Sequence, residues 1–337
     1  MDNLLYSTLN HCSTIILLII IAITLFLLGK AADLLVDEAV KISVRWGIPK
    51  MIIGATIVSL GTTLPEVTVS VLAAINGNPD LALGNSIGSI IADTGLIIGL
   101  SALIGNLNID NKTINYQGPL QLISGVLLAI VSLPIFSKSS NGIITQKMGF
   151  IFIILLVLYV IFTIKLGKKS NSEVAAEGQT LQASEPFIFQ LIKLILSIAL
   201  VIISSKVLIP SVEITAVRIG IPQSVIAATL VAFGTSLPEL VTAITSVKKG
   251  HGELAVGNII GADILNVLFV TGSAAAVTNK GIVVPSNFYR LQIPAMLIIL
   301  VSFRIFCKNK NNKITKLEGS FLLGIYVIYL ILNYTWI

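Results

Sequence analysis

The sequence predicts an all-α membrane protein with ten transmembrane helices in two inverted five-helix repeats, with broken helices at the middle of the membrane. Three observations support this prediction. The chain of 337 residues is 55% hydrophobic and only 11% charged, whereas soluble domains contain about 25% charged residues. Its apolar runs repeatedly reach the roughly 20 residues that cross a bilayer. Two distant parts of the sequence also match each other in several blocks.

Ten apolar segments alternate with polar connections along the chain. The first apolar run, residues 15–28, lacks the basic start and the Ala-x-Ala cleavage site of a signal peptide, so we expect it to remain as the first span. Four charged residues, Lys30, Asp33, Asp37 and Glu38, are expected to mark its cytoplasmic end. The predicted spans are 13–37, 48–76, 80–105, 117–136, 146–166, 187–209, 221–248, 252–278, 289–307 and 318–336.

The longest polar connection divides the chain nearly in half. We therefore predict a first five-span repeat at 1–167, a linker at 168–186 and a second five-span repeat at 187–337. With the N-terminus outside, the inner loops hold fifteen Lys and Arg residues and the outer loops six, with Lys30 left uncounted. Because positive charge accumulates in cytoplasmic loops, both termini are predicted outside and the linker in the cytoplasm. The chain is then an integral, multi-pass protein of the plasma membrane.

An internal repeat gives the most specific signal in the sequence. Gly-Ala-Thr-Ile-Val-Ser-Leu-Gly-Thr-Thr-Leu-Pro-Glu at 54–66 matches Ala-Ala-Thr-Leu-Val-Ala-Phe-Gly-Thr-Ser-Leu-Pro-Glu at 227–239. At the same offset of 173 residues, 81–88 matches 254–261 and 45–49 matches 218–222. Because each repeat has an odd number of spans, the second copy enters the membrane from the opposite side. The two repeat motifs cover 54–93 and 227–266.

Each repeat motif contains a predicted helix break. Pro65 and Pro238 cannot donate a backbone hydrogen bond, so the carbonyls of Gly61 and Gly234 lose their helical partners. Exposed carbonyls at this depth are tolerated only where they line a cavity or meet a ligand. Hydroxyl and carboxylate side chains lie at the same breaks: Thr62, Thr63 and Glu66 in the first, and Thr235, Ser236 and Glu239 in the second. This all-oxygen set is typical of sites for hard cations, and an ionisable residue inside a membrane by default indicates function.

The second block of each motif contains small residues in a Gly-x-x-x-Gly pattern. Gly84 with Gly88, and Gly257 with Gly261, are predicted to let helices approach closely. Asn85 and Asn258 lie inside these patterns. The sequence leaves open whether they form hydrogen bonds between helices or contact ions.

Further along the motifs, the two halves differ. Ser89 and Asp93 have Ala262 and Asn266 as their repeat partners. Asp93 is a carboxylate in the middle of a span and therefore favours a functional role. Asp263 also lies within a span, but its partner is Ile90, so we expect it to point away from the axis that relates the repeats.

These motifs resemble those of the cation/calcium exchanger superfamily, in particular its prokaryotic sodium/calcium exchanger-like branch. The resemblance rests on Gly-Thr-Thr-Leu-Pro-Glu at 61–66, Gly-Thr-Ser-Leu-Pro-Glu at 234–239, the Gly-Asn-x-x-Gly segment after each, and the Leu-Leu-Val-Asp stretch at 34–37. It extends over the whole ten-span chain. It implies antiport by alternating access, in which calcium leaves the cytoplasm as sodium enters.

The resemblance also implies roles for individual residues. Glu66 and Glu239 would bridge a central Ca²⁺, with oxygens from Thr62 and Thr235. Flanking sodium sites would use three hydroxyls: Thr63, Ser89 and Ser236. Asp93 and Asn266 would occupy the paired central positions.

Three departures from the family pattern bear on the coupling ion. Ala262 stands where many relatives have serine, which removes one hydroxyl, and Asp263 stands where relatives often have asparagine. The aspartate of the paired central positions is in the first half, as Asp93, and the second half has Asn266. Sodium, proton or potassium coupling is therefore left open.

Other functional classes fit the sequence less well than a sodium/calcium antiporter. A proton/calcium antiporter, using carboxylate protonation, is the nearest alternative. A channel would need a filter-like pore loop, and an intramembrane enzyme would need a Gly-x-Gly-Asp motif or a histidine within a span, none of which the sequence contains. The net charge of +6 is spread between spans and predicts no nucleic-acid partner. We expect no cofactor, no obligatory protein partner, and only the lipid bilayer and inorganic cations as contacts.

Overall fold

A computed structural model describes residues 2–136, 141–169, 186–220, 234–308 and 312–335. The helices of the first half are α1 (Asp2–His11), α2 (Thr14–Trp46), α3 (Lys50–Ile53), α4 (Ser59–Thr62), α5 (Leu64–Ile75), α6 (Pro79–Ile91), α7 (Ile98–Ile104), α8 (Asn111–Val131) and α9 (Gln146–Lys169). Those of the second half are α10 (Phe187–Arg218), α11 (Leu237–Lys248), α12 (Gly252–Leu265), α13 (Gly272–Ala276), α14 (Ile293–Phe306) and α15 (Lys316–Thr335).

Shorter elements join or extend these helices. Four π-helical segments run in continuity with them: Gly54–Val58, Ala92–Ile97, Asn266–Thr271 and Phe288–Gln292. A single 3₁₀ turn covers Pro134–Phe136 in the described chain. Four short strands complete the described elements: β1 (Leu107–Asn108), β2 (Gly142–Ile144), β3 (Ile282–Val284) and β4 (Lys313–Ile314).

The fold is that of an all-α membrane protein, as predicted. Eight helical stretches within the described ranges are long and apolar enough to cross a bilayer. A ninth is the bent pair Lys50–Thr62 and Leu64–Ile75, whose two parts meet at 45°. Residues 221–233, the first part of the predicted seventh span and of the second motif, lie outside the described residues, as do 170–185 of the predicted linker.

The first spanning helix is longer than the sequence predicted. We expected it to end near residue 37, but α2 continues for 33 residues to Trp46, where Gly47 adopts a left-handed conformation with φ 60°. The acidic residues in this part of the helix have side-chain partners: Asp33 and Asp37 pair with Lys249. Glu38, fully buried, accepts a 2.7 Å hydrogen bond from Lys41 one turn away.

The two longest helices, α2 and α10, pack antiparallel. Near the end of α2, Arg45 donates to Gln190 near the start of α10, at 3.1 Å. Near the end of α10, Arg218 donates to the carbonyls of Asn10 and Cys12, just before α2, both at 2.7 Å. Arg45 and Arg218 are the same position of the internal repeat, so equivalent arginines join the two ends of this helix pair.

Two small antiparallel sheets connect the halves of the chain. In one, Leu107 of β1 pairs with Ile314 of β4. In the other, Gly142 of β2 pairs with Val284 of β3. Each sheet thus joins a loop of the first half to a loop of the second. Strands of two or three residues carry no periodic pattern, and the sequence did not predict them.

Lys249, in the turn between α11 and α12, forms ion pairs with two aspartates of α2. Its Nζ lies 2.8 Å from Oδ1 of Asp37, 3.5 Å from Oδ1 of Asp33 and 2.9 Å from the Asp33 carbonyl. We expect Lys249→Asp to lower stability by up to about 1 kcal/mol, since the pair is partly exposed. Thermal unfolding in detergent measures the loss, and the double variant Lys249→Asp/Asp37→Lys should recover most of it. Equal destabilisation by Lys248→Asp, at the exposed neighbouring lysine, would show that the contact contributes nothing specific.

Candidate cation site

The first predicted helix break is present, and the second is described only from Gly234 onwards. Helix α4 ends at Thr62, Thr63 follows with φ −79° and ψ −1°, and α5 begins with Pro65 in its first turn. In the second half, Ser236 precedes α11, which has Pro238 in its first turn. Each break therefore places a glutamate, Glu66 or Glu239, in the first turn of a new helix, where the positive end of the helix dipole favours a carboxylate.

π-Helical segments carry two further predicted site residues. Ala92–Ile97 contains Asp93, and Asn266–Thr271 begins at Asn266. These are equivalent positions of the two repeats. A π-helical turn inserts an extra residue into a helix and is frequent at functional sites. The same helical irregularity thus occurs at the paired central residues of both halves.

Hydrogen bonds across the halves bring the two motifs together. Thr63 Oγ1 donates to Oε1 of Glu239 at 3.4 Å. Ser89 and Thr235 have their hydroxyl oxygens 3.5 Å apart. Glu66 interacts electrostatically with both Glu239 and Asp93. Residues far apart in sequence therefore form one polar cluster in the membrane interior.

The acidic groups of this cluster are buried with no counter-charge among the described residues. Glu66, Asp93 and Glu239 are each 1% exposed. Both carboxylate oxygens of Glu66 and of Asp93, and Oε2 of Glu239, have no hydrogen-bond partner in the described parts of the chain. Buried charges are unfavourable unless they are paired or bind metal ions. The arrangement is thus suited to binding cations from solution.

Neutral oxygens complete the set. Ser236 Oγ and the side-chain oxygen and nitrogen of Asn266 are also buried without a described partner. Thr62 donates weakly, at 3.5 Å, to Oδ1 of Asn258. Among the described residues, no three His, Cys, Asp or Glu side chains converge closely enough to hold a metal ion by themselves. A cation in this cluster would need hydroxyl, amide or carbonyl oxygens beside the carboxylates, as hard cations prefer.

Asn85 connects the two breaks. Its Nδ2 donates to the Glu66 carbonyl at 3.1 Å and to Ser70 Oγ at 2.9 Å. Its Oδ1 accepts from Thr235 at 3.0 Å. The sequence left the role of Asn85 open, and the structure gives it an interhelical one. Ser70 was missed because a serine in a span more often bonds its own helix.

Thr235 is the part of the cluster that meets open space. It is half-buried, and two cavities of about 290 Å³ each touch it. The described lining of one includes Asn85 and Ser89. That of the other includes Pro65 and Glu213. The cavities supply room for ions to approach the second break, whereas Thr62, the equivalent residue of the first break, is fully buried.

Asp263 lies in a separate polar group. Its Oδ2 accepts from Thr94 Oγ1 at 2.5 Å and from Gln121 Nε2 at 2.6 Å. It is thus bonded towards α8, whereas the sequence predicted only that Asp263 points away from the axis that relates the repeats. Sequence reasoning missed Thr94 and Gln121; Gln117 and Gln121, one turn apart in an otherwise apolar span, were the available signal.

Comparisons with known proteins agree with this geometry. The chain matches the sequence model of "Sodium/calcium exchanger protein" over residues 16–165 and 189–335. It is 32% identical over 324 residues to the inner membrane protein YrbG of Escherichia coli, covering 94% of this chain and 96% of that protein. It is 28% identical over 346 residues to the sodium/calcium exchanger MaX1 of Methanosarcina acetivorans, covering 93% and 97%.

The fold also matches solved structures. The sodium-calcium exchanger NCX_Mj, in crystals soaked with 10 mM Na⁺ and zero Ca²⁺, superposes with a TM-score of 0.80 at 25% identity, covering 95% of this chain and 99% of that one. The family expected from the motifs is therefore confirmed. The chain belongs to the sodium/calcium exchanger family of membrane transporters.

Proposed function

We propose that this protein exchanges Ca²⁺ for Na⁺ across the membrane by alternating access, with Ca²⁺ bound between Glu66 and Glu239. The observation that supports this most is the group of three buried carboxylates, drawn from both halves, in which five of the six oxygens lack a partner in the described chain. Three site carboxylates attract one Ca²⁺, or several Na⁺ in its place. Competition of the two ions for one set of charges is the physical basis of exchange.

The neutral site residues fit ligand roles around that Ca²⁺. Thr62 and Thr235 stand at the two breaks and would add oxygens to the central ion. Flanking Na⁺ ions would use the hydroxyls of Thr63, Ser89 and Ser236. Asp93 and Asn266 would face each other beside the glutamates. The polar side-chain atoms of Asp93 and Asn266 are buried without described partners, which supports the availability of these two residues for ions.

We also propose ten spans in two inverted repeats. The pairing of β1 with β4 supports this topology, because paired loops lie on one side of the membrane and an even number of crossings must separate them. Between these strands the described helices α8, α9, α10, α12–α13 and α14 give five crossings. The segment at 219–251 must then supply a sixth, which is the predicted seventh span. The β2–β3 pair leads to the same conclusion.

The predicted orientation places both termini outside and the linker in the cytoplasm. Arg218 bonds the residues before α2, and Lys249 bonds Asp33 and Asp37. These contacts support the predicted order of sides, since each joins segments assigned to one surface. A plasma-membrane location is supported by the relative in Escherichia coli that is named as an inner membrane protein.

Relatives support the assignment of ions. MaX1 is named a sodium/calcium exchanger, and the structures of the sodium-calcium exchanger NCX_Mj were obtained after soaking with Na⁺ alone or with Na⁺ and either Ca²⁺ or Sr²⁺. Proton coupling is the second candidate. Ala262, fully buried, stands opposite Ser89 in the repeat and provides no hydroxyl for a second sodium ligand.

Calcium flux in proteoliposomes tests the proposal. We expect an imposed Na⁺ gradient to drive ⁴⁵Ca²⁺ uptake, at constant pH and with the membrane potential clamped. A pH gradient of equal size, without Na⁺, should drive much less uptake. Uptake driven by the pH gradient alone would replace sodium by protons as the coupling ion. Absence of uptake under both gradients would contradict exchange itself.

A further inference from the structure

Asp263, Thr94 and Gln121 form a buried polar trio outside the candidate cation site. Asp263 is 1% exposed, Thr94 is fully buried and Gln121 is 2% exposed. The hydroxyl and the amide both donate to Oδ2 of Asp263, and Oδ1 has no hydrogen-bond partner in the described chain. The three residues come from different elements: the Ala92–Ile97 segment, α8 and α12. The trio thus exists only when these elements are assembled.

The equivalent positions of the internal repeat lack this polar trio entirely. Repeat partners of Asp263 and Thr94 are Ile90 and Val267, at an offset of 173 residues. Gln-Gly-Pro at 117–119 aligns with Gln-Ile-Pro at 292–294, which makes Met296 the partner of Gln121. These three partners are all apolar and fully buried. Each of the three polar residues therefore has an apolar repeat partner, although Thr94 and Gln121 are in the first half and Asp263 is in the second.

The apolar set shows that the fold does not need polar groups at this position. A carboxylate inside a membrane is costly and is retained mainly where it has a function. The proposed function gives Asp263 no ligand role, and its Oδ2 is bonded to Thr94 and Gln121. Some other task must therefore account for the trio.

Inside the membrane, the charged groups around Asp263 are all acidic and therefore disfavour its ionised form. Within the membrane, the acidic groups on elements packed against α12 are Asp93 and Glu239, and Asp263 acts electrostatically on Asp93. The other titratable groups on those elements and on α12 lie towards helix ends: Lys50, Asp80, Lys112, Tyr116, Lys248 and Glu253. No cation faces Asp263 within the described interior.

We propose that Asp263 is a proton-binding site, positioned by Thr94 and Gln121, whose protonation weakens Ca²⁺ binding at the neighbouring cation site. This inference rests on the proposed function. Protonation takes one H⁺ from water onto a carboxylate oxygen of Asp263 and removes one negative charge beside Asp93. The site takes a proton and not a metal ion because a proton needs one oxygen, whereas Na⁺ or Ca²⁺ needs several.

Two measurements on the full-length protein test the site. The first is the apparent KM for Ca²⁺ in Na⁺-driven uptake, measured from about pH 5.5 to 9. The wild type should show a KM that rises at least about threefold as the pH falls. Asp263→Asn, which resembles the protonated acid in shape, should keep the high-KM behaviour at every pH. The second is the infrared carbonyl band of a protonated carboxylic acid, which should titrate in the wild type and be absent from Asp263→Asn.

Variants that copy the apolar repeat partners provide matched controls. Thr94→Val/Gln121→Met removes both donors to the ionised carboxylate, so the transition should move to higher pH. Adding Asp263→Ile to that pair should remove the transition and leave Na⁺-driven exchange active. A merely structural role for Thr94 and Gln121 would lower the amount of folded protein without moving the transition.

Three outcomes would overturn the proposal. One is an unchanged pH profile and infrared titration in Asp263→Asn. Another is loss of exchange at every pH in Asp263→Asn, which would make Asp263 a cation ligand. The third is an unmoved transition in the Thr94→Val/Gln121→Met variant. The infrared measurement needs no transport, so it still tests Asp263 if a Na⁺ gradient proves unable to move Ca²⁺.

Discussion

Replacing Glu66 or Glu239 by glutamine is expected to abolish Na⁺-driven Ca²⁺ uptake. Glutamine keeps the size of the side chain but removes one of the two charges that we propose bridge the ion. Losing one member of a buried charge pair typically costs about 3–5 kcal/mol, so Ca²⁺ affinity should fall by at least about 100-fold. Equilibrium ⁴⁵Ca²⁺ binding in detergent and uptake in proteoliposomes measure the two effects.

Glu253→Gln is the matched control for these variants. Glu253 lies in the first turn of α12, at the end of its helix and away from the breaks. The same chemical change there should leave both binding and uptake near wild-type levels. Near-normal exchange in either Glu66→Gln or Glu239→Gln would remove the central claim of the proposed function.

The second large effect is expected at the glycines of α12. A Cβ atom added at Gly257 would lie 2.0 Å from the Met51 carbonyl oxygen, and one at Gly261 would lie 2.5 Å from the Ala55 carbonyl oxygen. Backbone cannot yield as a side chain can, so α12 would have to move away. Overpacking of this kind costs typically 1–3 kcal/mol, occasionally more. We expect Gly257→Ala and Gly261→Ala to lower the thermal unfolding temperature sharply and to reduce the yield of folded protein.

Gly29→Ala and Gly324→Ala are the matched comparisons. Both glycines lie inside long helices, and a Cβ there would meet no described atom within 4 Å. Alanine has the higher helix propensity, so these variants should be neutral or slightly stabilising. Similar losses at all four positions would indicate that glycine serves flexibility in this protein, not close packing.

The parts of the fold that could be predicted are those with strong local chemistry. Pro65 removes a hydrogen-bond donor from an apolar run, and the observed bend follows there. Gly257 and Gly261 were predicted to allow close approach, and they do. Gly84 and Gly88 show no such approach among the described residues: a Cβ atom added at Gly84 would lie 3.7 Å from Phe288, and one at Gly88 would meet nothing within 4 Å.

Other features depend on contacts between distant segments. Helix α2 passes its predicted end, and Lys249 from another part of the chain pairs there with Asp33 and Asp37. Gln121 on α8 donates to Asp263 on α12, and no spacing in the sequence predicts such a pair. In the candidate site, the sequence predicted which residues belong together. It could not show that Asn85 links Glu66 to Thr235, because that link requires the geometry of both breaks.

The two small sheets have a consequence for how the protein is made. Strand β1 lies near residue 107, but its partner β4 is at Lys313–Ile314, close to the last helix. During synthesis, β1 must therefore wait without its partner until nearly the whole chain has been inserted. The β2–β3 pair can close earlier, once Val284 has emerged. A nascent chain that stalls before β4 would therefore leave the backbone hydrogen-bonding groups of β1 unpaired with their strand partner.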